Sequence, residues 1–352
     1  MYLSEGIFSY NGSFDGDDTL PTCFSPSRKK IIFFTSEALV AQRHLNDILP
    51  FLRKNNISPI VILTPPVKSA RASIPSLQKF YYLEEGILGD VIYPELDKQS
   101  FHNPRLIPTF NKMVSLYDVD YIDVDSMKNP IINSIIDLPN VIGAISIYQD
   151  CIFKQDLIDK VKSKGFFWNL HPAVLPENRG IYLAFWNLLE GRHIHGNSLH
   201  EIDAGIDTGR IISSCQGILD PKKPILESYI DFTPCGSQLV TQALSEYLAK
   251  GYVTYAPVIE GEIRYRSFPT EDDIVYGQKN GVRLIGDAHE TLSLYQKNFG
   301  NNKTMLAKAF DAISLVTSES FDFSTQNLIL ENGYSKQIVT NIEEIPTPAA
   351  FR

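Results

Sequence analysis

Continuous apolar runs alternate with segments of helical period along most of the chain. KIIFFTS (Lys30 to Ser36) is an unbroken apolar run of the kind carried by a strand buried on both faces. It precedes EALVAQRHLNDILPFLRKNN, whose apolar residues recur at the spacing of one helix face, and then ISPIVILTPP, a second buried strand. Strand, crossover-length helix and strand in that order predict a right-handed unit on a parallel sheet. From Pro65 to Arg105 the pattern weakens into an elaborated connection, helical around SIPSLQKFYYLEEGI and strand-like at DVIYP. The alternation then resumes, with LIPTFNKMVSLYD as helix, VDYIDVDS as strand, PIINSIID as helix and NVIGAISI as buried strand.

After IFKQDLIDKVKSK, the run GFFWNLH reads as a strand and LAFWNLLEG as a helix capped by Gly191. IHGNSLHEI is strand-like, DAGIDTG a turn, and RIISSCQGI a further strand. ILESYIDFTPCGSQLVTQALSEYLAKG is helical with an interruption near Pro234, and VTYAPVIEGEIRYRSFPTEDDI changes to short strands and turns. The predicted class is α/β: a Rossmann-like, doubly wound, mainly parallel sheet over residues 29–250. An irregular arm, residues 1–28, precedes it, and a smaller C-terminal α+β appendage with a tail, residues 251–352, follows.

Composition narrows the function classes. The 352 residues, 43% of them hydrophobic, suffice for one large core and an appendage. A formal net charge of −9 gives no electrostatic footprint for a polyanion, so no nucleic-acid partner is expected. The four cysteines, Cys23, Cys151, Cys215 and Cys235, have neither CxxC nor zinc-ligand spacing. Neither a disulfide framework nor a metal knuckle is therefore predicted, and cytoplasmic residence is expected. The start lacks a cationic leader with an apolar core, and no stretch reaches the about 18 apolar residues of a membrane span, so no membrane partner is expected.

Candidate chemistry concentrates in FFWNLHPAVLPENRG. Because side chains alternate across a strand, Asn169 and His171 project to one face and Leu170 to the other. Both lie at the carboxyl end of their strand, where open α/β sheets bind ligands. An amide can donate to a developing oxyanion and a neutral imidazole can accept a proton, which suits addition of a nucleophile to a carbonyl. The orienting carboxylate is Asp203 or Asp207 in the glycine-bearing turn EIDAGIDTG, and local chemistry does not choose between them. No G-x-S-x-G elbow and no paired Cys and His are present, so the nucleophile belongs to a substrate. His193, His195 and His200 lack metal-ligand spacing with carboxylate or cysteine partners, and no metal is expected. His200, near the turn, and Arg179, beside Gly180, are candidate substrate contacts, with Lys68 and Arg71 ranked below them. Tyr265 and Phe268 in RYRSFPT offer rings for stacking on a base, although such aromatics more often belong to a core.

NLHPAVLPENRG, the helix ending at Gly191 and GNSLHEIDAGIDTGRII together resemble the core of the formyltransferases that use 10-formyltetrahydrofolate. The strong likeness covers Gly165 to Ile212, with element order agreeing back to Lys30. It implies a doubly wound sheet in which Asn169 holds the formyl oxygen, His171 assists proton movement, and Asp207 orients His171. It also implies main-chain contacts to the donor's pterin from Ile152 and Phe153, and from Asp203, Ala204, Gly205, Ile206 and Asp207. YYLEEGILGDVIYPEL, LIPTF and YRSFPT are most similar to the branch acting on nucleotide-linked amino sugars, which implies a small amine acceptor and a homodimer. The same chemistry on an amino acid, a siderophore precursor or an aminoacyl-tRNA, and an inactive binding module, are the alternatives. The first strand is followed by TSEALV rather than a glycine-containing turn, so no phosphate site is assigned there.

Overall fold

The computed structural model describes residues 28–64, 73–99, 103, 105–258 and 261–318, together with the backbone of Ile7–Ser9. Lys68, Arg71, the remainder of the N-terminal arm and the tail beyond 318 lie outside the described residues.

Strands β1 (Ile7–Ser9), β2 (Lys29–Thr35), β3 (Ile57–Leu63), β4 (Asp120–Asp123), β5 (Val141–Ile147) and β6 (Phe166–His171) are hydrogen-bonded only to parallel neighbours among themselves. β7 (Asn178–Gly180) leaves this sheet, and β8 (Ile194–Glu201) and β9 (Ile211–Ile218) extend it antiparallel from β6, giving the order β1-β4-β3-β2-β5-β6-β8-β9. β10 (Arg264–Arg266) pairs in parallel with β7 as a separate two-stranded ribbon. The arm read as irregular therefore contributes an edge strand, since Ile7–Ser9 pairs with Tyr121 to Asp123.

Helix α1 (Leu39–Lys54) joins β2 to β3. The connection to β4 carries α2 (Pro75–Tyr81), two π-helical turns (Tyr82–Gly86 and Leu88–Ile92), α3 (Tyr93–Asp97) and α4 (Phe110–Tyr117). α5 (Pro130–Asp137) and α6 (Gln155–Lys162) flank β5, and α7 (Leu183–Leu189) and α8 (Ile225–Lys250) follow β7 and β9. α9 (Glu271–Lys279), α10 (Ala288–Phe299) and α11 (Lys303–Thr317) close the described chain.

The apolar runs of β2 and β3 are buried on both sides because each feeds two cores. Ile31, Phe33, Val61 and Leu63 join Leu45 and Leu49 of α1 and Val240 and Leu244 of α8. Ile32, Phe34, Ile60 and Ile62 join Ile132 and Ile135 of α5 and Ile158 and Val161 of α6. Layers on both faces of a mainly parallel sheet are the predicted doubly wound class.

Three readings need correction. DVIYP is helical: Leu83, Ile87, Leu88, Val91, Ile92 and Leu96 all enter the first core, and this helical spacing over a long segment overrides the local strand propensity. α8 runs through Pro234 without a break. The ring removes the amide that would bond the Ile230 carbonyl, and the Thr233 hydroxyl donates to that carbonyl instead at 2.8 Å. The boundary near residue 250 is not a break in the core, because Leu294, Tyr295, Phe299, Met305 and Ile313 pack in the same cluster as Ile31 and Phe33. The π-helical region is the seam: the Tyr295 hydroxyl donates to the Leu83 carbonyl, and Lys308 pairs with Glu95 at 2.7 Å.

Cys215 on β9 and Cys235 on α8 form a disulfide with Cα atoms 6.2 Å apart, a pairing that their spacing in sequence did not announce. No described helix is long and apolar enough to cross a membrane.

Candidate active site

β6 ends where its flanking elements converge. Asn169 stands between Ser146 of β5 and His200 of β8, and His171 is paired with Ser198 of β8. The chain then turns through Pro172 to Pro176 into β7, which brings the Asn178 carbonyl to 2.9 Å from His171 Nε2. Since a carbonyl only accepts, Nε2 carries the proton, and the lone pair of His171 is on Nδ1. That nitrogen faces Asp207 Oδ1 at 3.5 Å.

Asp207 reaches this position from the turn after β8. Its φ of 53° is left-handed, a conformation that aspartate tolerates better than most side chains. Its other oxygen, Oδ2, accepts from the Gly180 N–H at 2.9 Å. Two glycines make the approach possible. A Cβ at Gly209 would lie 1.8 Å from the Glu201 carbonyl oxygen, and one at Gly180, whose φ is 98°, would lie 1.9 Å from that of Arg266. The choice the sequence left open is thereby resolved in position: Asp207 faces His171. Asp203 instead accepts from Gly205 N at 3.1 Å and Thr208 Oγ at 2.5 Å within its own turn.

His200 belongs to the same constellation. Its Nδ1 donates to the Glu201 carbonyl at 2.7 Å, which leaves Nε2 as an acceptor for Asn169 Nδ2 at 3.1 Å. Nε2 also lies 3.6 Å from Asp207 Oδ1. The imidazole thus sets which end of the Asn169 amide faces inward and leaves the second N–H of that amide for another acceptor. The sequence offers His200 as a substrate contact, and the bulge between Leu199 and His200 hides from it that the ring meets Asn169 and Asp207. The Asn178 carbonyl and Gly180 N–H were invisible to it, being main-chain groups.

Burial lowers the pKa of His171 from its ordinary value, against the opposing pull of Asp207. For Asp207, burial alone would raise the pKa. The neighbouring His171 and His200 and the Gly180 N–H outweigh it and hold the carboxyl down to about 2. At neutral pH the pair is therefore a neutral imidazole against a carboxylate. A proton taken by His171 Nδ1 creates an imidazolium facing that carboxylate, which stabilises it.

The remaining candidates are distributed around this centre. The Gln149 side chain accepts from Cys151 N at 2.5 Å and donates to Ser146 Oγ at 3.0 Å, fixing the turn that leads to Ile152 and Phe153. Ile152 is 65% exposed, whereas Phe153 packs edge-on against Phe34 and Phe167 in the second core. Ile202, before the turn carrying Asp203, Ala204, Gly205 and Ile206, belongs to that core too, so both segments border the face bearing Asn169 and His171. Phe268 packs on Tyr182 against the main core and offers no free ring, while Tyr265 is exposed. His195 is buried against Tyr229 and Phe232, and no group of metal-ligating side chains occurs among the described residues.

Residues 150–223 match the family model described as formyl transferase, a span that contains Asn169, His171 and Asp207. The chain carries a formyl transferase segment. Among curated proteins it is similar to methionyl-tRNA formyltransferases. That of Thermodesulfovibrio yellowstonii is 25% identical over 213 residues, 60% of this chain and 68% of the relative. That of Finegoldia magna is 23% identical over 175 residues, 50% of this chain and 56% of the relative. The chain thus spans between about half and two thirds of the length of these relatives. Among solved structures, a 4-N formyltransferase from Francisella tularensis aligns over 70% of this chain and 78% of its own, at 18% identity and a TM-score of 0.46. The N-formyltransferase from Helicobacter canadensis, solved with folinic acid and dTDP-3-aminofucose, aligns over 73% and 80%, at 18% identity and a TM-score of 0.44.

Proposed function

We propose that the protein transfers a formyl group from 10-formyltetrahydrofolate to the amino group of a small acceptor, a nucleotide-linked amino sugar. The observation that carries this is the meeting of Asn169, His171, His200 and Asp207 inside the segment that matches the formyl transferase model. The reaction joins the acceptor nitrogen to the formyl carbon, breaks the bond from that carbon to the donor nitrogen, and moves one proton from the first nitrogen to the second. Each need has a residue. The free Asn169 N–H is aimed to stabilise negative charge on the formyl oxygen, as an oxyanion donor does. His171 Nδ1 takes the acceptor's proton and returns it to the departing nitrogen, and Asp207 stabilises the charged imidazole between the two events.

The donor fits the site by its surroundings. Exposed Ile152 and Ile206 offer apolar surface beside Asn169, and main-chain groups of Asp203, Ala204 and Ile206 are left to a ligand where Asp203 holds the Gly205 N–H and the Thr208 hydroxyl. That pairing is the arrangement a flat heteroaromatic with a hydrogen-bonding edge requires. Folate analogues supply a direct test. The non-reactive 5-formyltetrahydrofolate binds the wild-type protein, and His171→Ala leaves that binding in place while lowering formyl transfer by about 10²- to 10⁴-fold. Wild-type turnover in the variant would remove His171 from the mechanism.

The names of the curated relatives favour a second acceptor, aminoacyl-tRNA. Against it stands the charge distribution: a net −9, with Arg192 and Arg266 both paired to Glu190 and Arg264 to Glu262, leaving no basic stripe on the ribbon beside the site. A steep fall of acceptor affinity with salt would restore the tRNA reading, and a near-flat dependence would exclude it.

A further inference from the structure

We infer that Ser146 is a second donor to the formyl oxygen, its hydroxyl completing, with the free Asn169 N–H, a two-donor site for the oxyanion. This rests on the formyl-transfer reading of the same site.

A single row of paired residues crosses the sheet at the level of the site: Ile62 on β3, Phe34 on β2, Ser146 on β5, Asn169 on β6 and His200 on β8. Paired residues on neighbouring strands project to the same face, so Ser146 and Asn169 stand side by side on the face that also bears His171. Ile62 and Phe34, with Ala144 and Phe167 earlier on β5 and β6, belong to the second core. The row turns polar at Ser146, the last position of β5 on this face, since the strand ends at Ile147. Ser146 is 1% exposed, and a hydroxyl so buried costs free energy unless its bonds are met.

Its bonds are half met. Ser146 Oγ accepts from Gln149 Nε2 at 3.0 Å, and no hydrogen bond among the described residues uses its own hydrogen. Gln149 does not need the serine to close its turn, because its side chain already accepts from Cys151 N at 2.5 Å and donates to the Cys151 carbonyl at 3.1 Å. What the bond to Ser146 does is occupy a lone pair of Oγ and turn the hydrogen away from Gln149. On one side in the row the Phe34 ring has no lone pair to offer, and on the other lies Asn169, so the hydrogen is left for a ligand atom beside Asn169. Ser198, paired with His171, is not in this position: its Oγ accepts from Leu175 N at 2.9 Å and shares a hydrogen with Ser214 Oγ at 2.8 Å.

The spacing fits one oxygen. Neighbouring strands stand about 4.8 Å apart, and two donors that each lie about 2.9 Å from one oxygen, at a near-tetrahedral angle, are about 4.7 Å apart. Asn169 meets that oxygen from the side held by His200, and Ser146 meets it from β5. As the acceptor nitrogen adds, the oxygen gains charge and the second bond strengthens, so Ser146 favours the tetrahedral adduct over the bound donor. The serine keeps its proton throughout. Proton transfer stays with His171, and the bond from Ser146 weakens again when the carbon–oxygen double bond re-forms.

Calorimetry with two donor analogues tests this without an acceptor. One is 5-formyltetrahydrofolate, whose formyl carbon is trigonal. The other carries carbon in place of the formyl-bearing nitrogen, so that its aldehyde takes up water to give a tetrahedral gem-diol. The ratio of the two affinities is the readout, because a disturbance of the shared pocket acts on both. Ser146→Ala is expected to weaken the gem-diol by about 10- to 100-fold while 5-formyltetrahydrofolate stays within about twofold of wild type. Gln149→Glu removes the N–H that holds Oγ and offers an acceptor for its hydrogen, so it lowers the ratio as well. Thermal midpoints report whether each variant is folded. An unchanged ratio in folded Ser146→Ala, or in Gln149→Glu should the first not fold, overturns the role of Ser146 and leaves formyl transfer standing. Failure of the wild-type protein to bind either analogue overturns the formyl-transfer reading, and the role of Ser146 with it.

Discussion

The catalytic proposal turns on which ring nitrogen holds a proton in each of two histidines. His171 donates through Nε2 and keeps its lone pair toward Asp207, while His200 donates through Nδ1 and accepts from Asn169. Asp207→Asn keeps the shape but replaces the carboxylate facing an imidazolium, so turnover should fall by about 10²- to 10⁴-fold while 5-formyltetrahydrofolate affinity is preserved. His200→Ala acts one step removed. It frees the Asn169 amide to rotate, and kcat should drop by about tenfold with the donor KM nearly unchanged. Loss of donor affinity in place of kcat would mean that His200 lines the folate pocket instead. Asn169 and His171 were legible in the sequence because strand alternation fixes their common face. His200 was legible only as a candidate substrate contact, because a bulge hides the face its ring adopts, and the partners of His171 and Asp207 on β7 are main-chain atoms.

At the scale of elements, α8 shows how a rule read from sequence is evaded locally. Proline predicts a break, but Thr233 supplies the lost hydrogen bond to Ile230, so the helix continues to Lys250 and covers the first core. Thr233→Val should therefore lower stability by about 1 kcal/mol in denaturant unfolding, and Thr233→Ser should be near neutral, because only the second retains a donor for a buried carbonyl. A Val variant as stable as wild type would mean that the carbonyl finds another donor. The strand-like DVIYP misled for a related reason. Val91, Ile92 and Tyr93 have strand propensity, but the apolar positions from Leu83 to Leu96 keep helical spacing against the core. Strands β2, β3, β5 and β6 were plain, since burial on both faces demands continuous apolar runs.

Over the whole molecule, three of the buried histidines, His44, His171 and His195, govern the response to acid. Burial lowers His44 and His195 from 6.5 to about 3, and also lowers His171. Below pH 6.5 the unfolded chain takes up protons that the folded chain refuses, so stability falls as pH drops from there toward 3. Asp207 acts in a lower window. Its depressed carboxyl contributes stability above its ordinary 3.8 that is lost as pH falls to about 2, on the order of 2 kcal/mol. Thermal midpoints measured from pH 7.5 downward should decline already between about 6.5 and 5. A flat profile over that interval would show that the histidines are solvated. The shared core of the C-terminal helices and the sheet, and the Cys215–Cys235 link, belong to this scale and left no local trace, since both depend on contacts between segments far apart in sequence.

Mass spectrometry of acceptors incubated with 10-formyltetrahydrofolate tests formyl transfer most directly. Wild type and His171→Ala would be compared across nucleotide-linked amino sugars, amino acids and hydroxyornithine. A nucleotide-linked amino sugar heavier by one formyl group, formed by wild type and not by the variant, is the predicted result. An intact donor and no formylated acceptor of any class, from wild-type protein that binds nucleotide sugars, would contradict formyl transfer and leave a binding protein built on the same fold.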